Sequence, residues 1–267
     1  MKFTIKIFAV AIALLMVLAA FAACGSVPAN TVFSEADLAG KKIGVQSGTT
    51  GADIADTYKE KGATVERYTK ANDAILALKQ GKIDCVIIDN QPAAAFVAAN
   101  SDLKILDDVL ASELYAIAVK KGNTELTELL NGALKTIKEN GTLQKIYDNW
   151  CAEEGSKVPY TYTSPENVDR SAGTLRIATS PDFPPYESME GDKVVGFDAD
   201  MIQAMADIIG YNIVWDCMNF DSVIASVASG KTDIGLSGLT IKPDRLESVD
   251  FTDSYIEATQ VIIVRAK

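Results

Sequence analysis

Histidine is absent from all 267 residues, and that one gap removes several chemistries. Ser-His and Cys-His nucleophile pairs, imidazole bases and most zinc sites need a ring this chain does not have. Cysteine is scarce, at four residues, and no CxxC spacing joins any of them, so neither a dithiol redox motif nor a metal clip is expected. Basic side chains are outnumbered, 25 Lys and Arg against 36 Asp and Glu. That balance argues against nucleic acid as a partner and against a basic membrane-binding face. Carboxylates are plentiful enough for paired-carboxylate hydrolysis, but no motif supports it. After Phe21 no apolar run is long enough to cross a bilayer. No catalytic residue, metal or cofactor is assigned.

What is present begins with a secretory signal over residues 1–23. Lys2 and Lys6 make its positive start, Phe8 to Phe21 its short apolar core. F-A-A-C at 21–24 resembles the lipobox at which bacterial lipoproteins are cleaved, with Phe21 in place of the usual aliphatic residue. Cys24 is then the expected lipidation site and the only anchor, holding a soluble body on the outer face of the cytoplasmic membrane. Removing residues 1–23 leaves 23 basic and 36 acidic side chains, a formal charge of −13. Three further cysteines remain, an odd number for an exported chain. Cys85 reads as a buried apolar residue, whereas Cys151 and Cys217 could pair or stand free.

The stretch Ile234–Glu247, I-G-L-S-G-L-T-I-K-P-D-R-L-E, concentrates the chemistry. A buried strand runs into Ser237-Gly238, and Pro243 suits the first turn of a helix. Asp244 and Glu247 agree with that helix's dipole, but Arg245 does not. Either Arg245 pairs with those neighbours on the surface, or its planar fork awaits a carboxylate. Gly238 lets backbone approach a ligand and Thr240 offers a hydroxyl.

Upstream, a strand at 41–45 leads into Q-S-G-T-T-G at 46–51 and a helix from Ala52. This loop is an anion-friendly helix start or a plain turn with a threonine cap. Asn72–Asp89 and Asp221–Gly238 then share one pattern: a helix, G-K-x-D, and a strand with a polar end. This weak repeat suggests two lobes on one plan, each with a loop at the carboxyl end of a strand, where open α/β sheets bind ligands. Asp89 at that edge is a helix cap or a counter-ion for an ammonium group. Glu113–Lys121 reads as one strand. Leu126, Leu129, Leu130, Leu134 and Ile137 form a core stripe. Residues 152–173 are a Ser-, Gly- and Pro-rich linker. The proline-rich loop 179–188 carries Phe183 and Tyr186 as rigid apolar faces. A helix over 197–210 buries Phe197, Met201, Met205 and Ile208.

L-R-I-A-T-S-P-D-F-P-P-Y-E-S, G-F-D-A-D-M, S-G-L-T-I-K-P-D-R-L and V-D-F-T-D-S-Y resemble the first lobe of extracellular amino-acid-binding proteins that feed ABC importers. D-L-A-G-K-K-I-G-V-Q-S-G-T-T-G, G-K-I-D-C-V-I-I-D and L-K-T-I-K-E-N-G-T-L-Q-K-I-Y-D-N-W resemble their second lobe and closing helices. The resemblance, over most of 36–151 and 174–267, implies an α/β, two-lobed, periplasmic-binding-protein-like type II clamshell, each lobe an open, mostly parallel sheet flanked by helices.

The order departs from the family's, whose counterpart of 174–267 comes first, so the chain resembles a circular permutant. On that basis 24–35 is a leader, 36–112 is lobe 2, and 113–151 gives the closing strand and helices of lobe 1. Residues 152–173 join the family's old termini, and 174–267 is the main part of lobe 1. One crossover between lobes, near 111–114, is expected to survive, with the other cut between Lys267 and the region of Val32. A fragment of two tandem binding proteins is the alternative. A monomer is expected, with swapping through a severed hinge the route to a dimer.

The resemblance further implies that Arg245 clamps the ligand α-carboxylate, helped by Thr240 and by Thr50 beside Thr49. Asp89 and the Gly238 carbonyl, next to Ser237, take the α-ammonium. Phe183 and Phe220 sandwich the ligand side chain, with Ser180, Gln46 and Tyr186 tuning it. Many relatives carry an acid where Ser180 stands, so a polar or modestly apolar amino acid is expected over a strongly cationic one. The implied partners are a free amino acid and a membrane permease. Dehydratases and peptidoglycan lyases on the same fold, or a ligand-sensing domain, are the rivals.

Overall fold

Glycine-punctuated apolar runs set the first half of the chain. The computed structural model describes residues 27–153 and 155–267; the signal segment 1–23 and Cys24 lie outside them. β1 (Lys42–Gln46), α1 (Thr50–Asp56), β2 (Thr64–Tyr68), α2 (Ala71–Lys79), β3 (Cys85–Asp89), α3 (Asn90–Ala99) and β4 (Leu103–Ile105) follow one another. β1 lies parallel to both β2 and β3, as strands joined through helices must. C-V-I-I-D of β3 is buried throughout, the continuous apolar run of a strand covered on both faces. β5 (Ala111–Tyr115) then leads to β6 (Ala118–Lys120), α4 (Thr124–Glu139) and α5 (Thr142–Trp150).

The second half starts at β7 (Gly173–Thr179) and a small antiparallel sheet of β8 (Asp182–Phe183), β9 (Glu187–Glu190) and β10 (Lys193–Val195). α6 (Phe197–Ile209), β11 (Tyr211–Cys217), α7 (Phe220–Ser229), β12 (Ile234–Gly235), α8 (Pro243–Leu246), β13 (Val249–Phe251) and β14 (Ile256–Arg265) complete it. The anticipated repeat is visible: α2 and α7 both stop at a left-handed glycine, Gly81 at φ 69° and Gly230 at φ 73°. Each is followed by a strand inside a different sheet.

The two larger sheets are ordered β2-β1-β3-β14-β4 in lobe 2 and β11-β7-β12-β6-β13 in lobe 1. Between them runs an antiparallel ribbon, in which Ile256–Gln260 of β14 pairs with Ala111–Tyr115 of β5. Three expectations need correcting. Glu113–Lys121 is not one strand, because β5 belongs to the ribbon and β6 to the sheet of lobe 1. Residues 174–267 are not all lobe 1, because Gln260–Arg265 pairs with β3 and β4 in lobe 2. Both crossovers are therefore continuous. At the far side of lobe 2 the Asn30 N–H donates to the Lys267 carbonyl at 2.8 Å. Arg265 fastens that corner, donating to the carbonyls of Pro28, Leu78 and Ile83 at 2.7–3.0 Å. A run such as Q-V-I-I-V-R is apolar whichever sheet receives it, and its pattern does not choose between lobes.

The stripe of α4 buries Leu126, Leu130, Leu134 and Ile137, while Leu129 stays 40% exposed. On α6, Phe197, Met201 and Met205 are buried but Ile208 is not. Cys85, Cys151 and Cys217 are all free thiols, which settles the open pairing of the last two. No described residue of 152–172 is in a helix or strand, yet the segment is held down. Tyr162 donates to Asp207 at 3.1 Å and Arg170 forms an ion pair with the same buried carboxylate.

One glycine is set by close approach. Gly196, at φ 135°, admits the backbone of the preceding loop: a Cβ there would lie 2.2 Å from the Tyr186 carbonyl oxygen. That loop caps α6, since Phe197 and Asp198 donate to the carbonyls of Pro185 and Tyr186. Gly196→Ala is expected to cost about 2–3 kcal/mol through backbone strain and overpacking, read as a lower denaturant midpoint at unchanged m.

Candidate functional site

The carboxyl ends of β1 and β3, the ribbon, and the loop from Ser237 to α8 converge on one interlobe cleft. Gln46, Thr49, Thr50, Asp89, Phe183, Phe220, Gly238, Thr240 and Arg245 line it, together with Glu113. Thus nine of the twelve expected ligand residues meet in one place.

Arg245 sits on α8, a single turn opened by Pro243 at its start. It does not lie on the surface against Asp244 or Glu247. It is 5% exposed, with its Nη1 on the Thr240 carbonyl and its Nη2 on the Gly48 carbonyl of the other lobe, each at 2.9 Å. The guanidinium carbon lies over the Phe220 ring, 5.5 Å from its centroid, within cation–π range. Burial lowers its pKa, with Asp244, Glu113, Asp53 and Asp89 opposing the shift.

Asp89 ends β3 at the cap position of α3, but its side chain makes no capping bond and turns into the cleft. The Tyr115 hydroxyl and the Gln260 amide both donate to its Oδ1, the latter at 2.7 Å. Burial, and then the charge of Glu113, push the Asp89 carboxyl up to about 8. Thr49 caps α1 by accepting from the Ala52 N–H at 3.1 Å. That leaves Thr50 free to donate to Thr240 across the cleft at 3.3 Å. Gly238, at φ 55°, brings bare backbone against Tyr115 and Phe183, where a Cβ would sit 3.1 Å and 3.3 Å from their rings.

Three expected residues stand behind the wall rather than in it. Ser237 is fully buried and donates to Glu187 Oε1 at 2.6 Å while accepting from the Ser180 N–H. Ser180 donates its hydroxyl to Asp182 at 2.9 Å. Tyr186 is fully buried, stacked on Phe183 at 6.0 Å; it supports that ring and does not touch the cavity.

Glu113 was not anticipated. It is buried, accepts from the Thr240 hydroxyl, and shares the Gln260 amide with Asp89. A usable signal existed: Glu113 lies two residues before Tyr115 in a strand, so both face the same way.

The two lobes are closed on each other. Arg245 to Gly48, Thr50 to Thr240, and Lys242 to Asp53 at 2.6 Å all span the cleft. About 10 Å³ of cavity remains between them, roughly one water's worth. A small molecule enters this cleft only if these bonds part.

Comparison with known proteins places this arrangement. The model for bacterial extracellular solute-binding proteins, family 3, matches residues 48–153 and 175–267, and the chain belongs to that family. Over 89 residues it is 42% identical to the arginine-binding extracellular protein ArtP of Bacillus subtilis, covering 33% of this chain and 35% of that one. A probable histidine-binding protein of Neisseria gonorrhoeae is 40% identical over 115 residues, covering 43% and 41% of the two chains. An ancestral arginine-binding protein, solved with arginine, is 39% identical over 31% of this chain and 37% of its own, with TM-score 0.30. The chain thus spans between about a third and a half of the length of the relatives it matches.

Proposed function

We propose that this protein captures a free amino acid between its lobes and delivers it to a membrane permease. The observation that carries this reading is the opposition of charges across one cleft: Arg245 reaches in from lobe 1 and Asp89 from lobe 2. A zwitterion bridges them and so stabilises the closed form over the open one. Phe183 and Phe220, on the same cavity, flank the ligand side chain. Cys24 anchors the body in the membrane through its lipid. The chain order is that of a permuted clamshell, a reading supported by the two continuous crossovers.

The test is a thermal-shift panel of the twenty amino acids on the chain from residue 25 onward. A ligand at a hundred times its Kd adds about 2.7 kcal/mol, which is several degrees for a body of this size. One or a few hits are expected, and silence across the panel would sink the proposal. The raised pKa of Asp89, about 8, favours one rival, acid-assisted elimination on a bound carboxylate. Release of product from a prephenate-like substrate would support that rival.

A further inference from the structure

Glu113 belongs to the ligand cleft, but the charges already assigned there have no use for it. Its place is set by both hinge strands. Gln260 of β14 puts one amide nitrogen on Asp89 Oδ1 at 2.7 Å and on Glu113 Oε1, so a single group holds the two carboxyls side by side. The Thr240 hydroxyl occupies Glu113 Oε2, and the Tyr115 hydroxyl reaches Asp89. Both carboxyls thus accept from one nitrogen and lie close together out of water. Two buried carboxylates held side by side repel, which favours keeping one proton on the pair, and burial with the charge of Glu113 raises Asp89 accordingly. The groups facing the pair are Arg245 from α8, Tyr115 from β5, and Tyr186 from the loop before β9. Glu257 points to solvent on the ribbon, and Asp53 pairs with Lys242 at the rim.

We propose that Glu113 and Asp89 together form the ammonium subsite, sharing one proton until a ligand arrives, and that the ligand's ammonium replaces that proton, which passes to solvent. This rests on the amino-acid-binding reading above and adds a second ligand residue and a stoichiometry to it. The exchange conserves charge at the pole: the pair with its proton carries −1, and the ionised pair with an ammonium also carries −1. An ammonium brings three N–H donors to acceptors already aligned by Gln260, Thr240 and Tyr115. The proton has a way out after the cleft seals. Glu113 and Thr240 also line a second cavity of about 630 Å³ on the other side of the hinge, bounded by Ser112, Glu257 and Thr259.

The experiment is calorimetric titration of the chain from residue 25 with L-arginine, L-glutamine and L-alanine, whose own groups do not titrate near neutral pH. Each run is made at about pH 6.5 in two buffers of different ionisation enthalpy. Close to one proton is expected to leave per ligand bound, and Kd to fall nearly tenfold per pH unit, levelling near the Asp89 value of about 8. In Glu113→Gln the new amide supplies the N–H that the shared proton supplied. That variant is expected to bind within about tenfold of wild type, without proton release and with Kd flat in pH. Binding of a probe by wild type without proton release overturns this inference alone, whether or not the variant folds. Proton release that persists in Glu113→Gln also overturns it. Where none of the three binds, the same titration is run with the hits of the twenty-amino-acid panel, and silence across that panel overturns the binding reading and this inference together.

Discussion

Arg245→Ala is expected to weaken amino-acid binding by about 10²–10⁴-fold. The basis is the burial of the group the ligand carboxylate would meet. Arg245 is 5% exposed and its present partners are two carbonyl oxygens, Thr240 and Gly48. Neutral carbonyls are weaker partners for a guanidinium than a carboxylate, so a ligand displaces them at a gain. Removing the fork leaves a desolvated carboxylate unpaired, at about 3–5 kcal/mol. Arg245→Lys is expected to recover little, because an ammonium cannot bind a carboxylate bidentately. The alanine variant also loses a bond across the cleft, so part of the loss falls on closure. Calorimetry with the panel's hit measures the sum, and scattering in the ligand-free state shows whether the lobes rest further apart. Wild-type affinity in Arg245→Ala would remove Arg245 from the site.

Much of this was legible because the family's turns leave strong local signals. Pro243 before Arg245, the left-handed glycines at 81 and 230, and threonine caps at a strand's carboxyl end are short-range features that one chain displays by itself. What local pattern does not carry is which side of a wall a residue faces. Ser180 and Ser237 were expected to meet the ligand, but their hydroxyls are used inside lobe 1 by Asp182 and Glu187. Tyr186 was expected in the cleft and is fully buried beneath Phe183. Glu113 went the other way, because a charged residue in a short strand is ordinarily assigned to solvent. On the hinge ribbon the usual sense is inverted: Glu113 is 6% exposed while its neighbour Leu114 is 44% exposed. The destination of β14 is the largest such case, since a strand leaving one lobe to complete the sheet of the other is a long-range choice.

Stability is expected to fall as pH rises from about 4 to about 7, the reverse of the behaviour of proteins held together by exposed ion pairs. The cause is a second pair of carboxyls, deep in lobe 1 under the Ser237–Gly238 turn. Glu187 and Asp198 are both fully buried. Ser237 donates to Glu187 Oε1 at 2.6 Å, and the Gly238 N–H and Tyr255 hydroxyl donate to Asp198 Oδ2 at 3.3 Å and 3.2 Å. Burial raises both, Asp198 to about 7 and Glu187 well above the usual carboxylate range. A carboxyl whose folded pKa lies above its unfolded one keeps a proton that the unfolded chain has released. Its contribution is whole below the unfolded pKa near 4 and is lost as pH climbs through the folded value. For Asp198 the loss is on the order of 2–4 kcal/mol by pH 8, and Asp89 adds the same sign up to about 8. Asp56 and Asp250 are lowered by lysine partners, which gives the opposite sign, but both pairs are open to water and screened. Urea midpoints at about pH 5 and pH 8 measure the slope, and Glu187→Gln is expected to flatten it, because it removes one of the two carboxyls that burial raises. A wild-type midpoint that stays level or rises across that range would mean the pair is ionised in the fold. The Ser237–Gly238 turn would then rest on two buried charges with no cation among the described residues acting on either, an arrangement whose desolvation cost the surrounding donors could not offset.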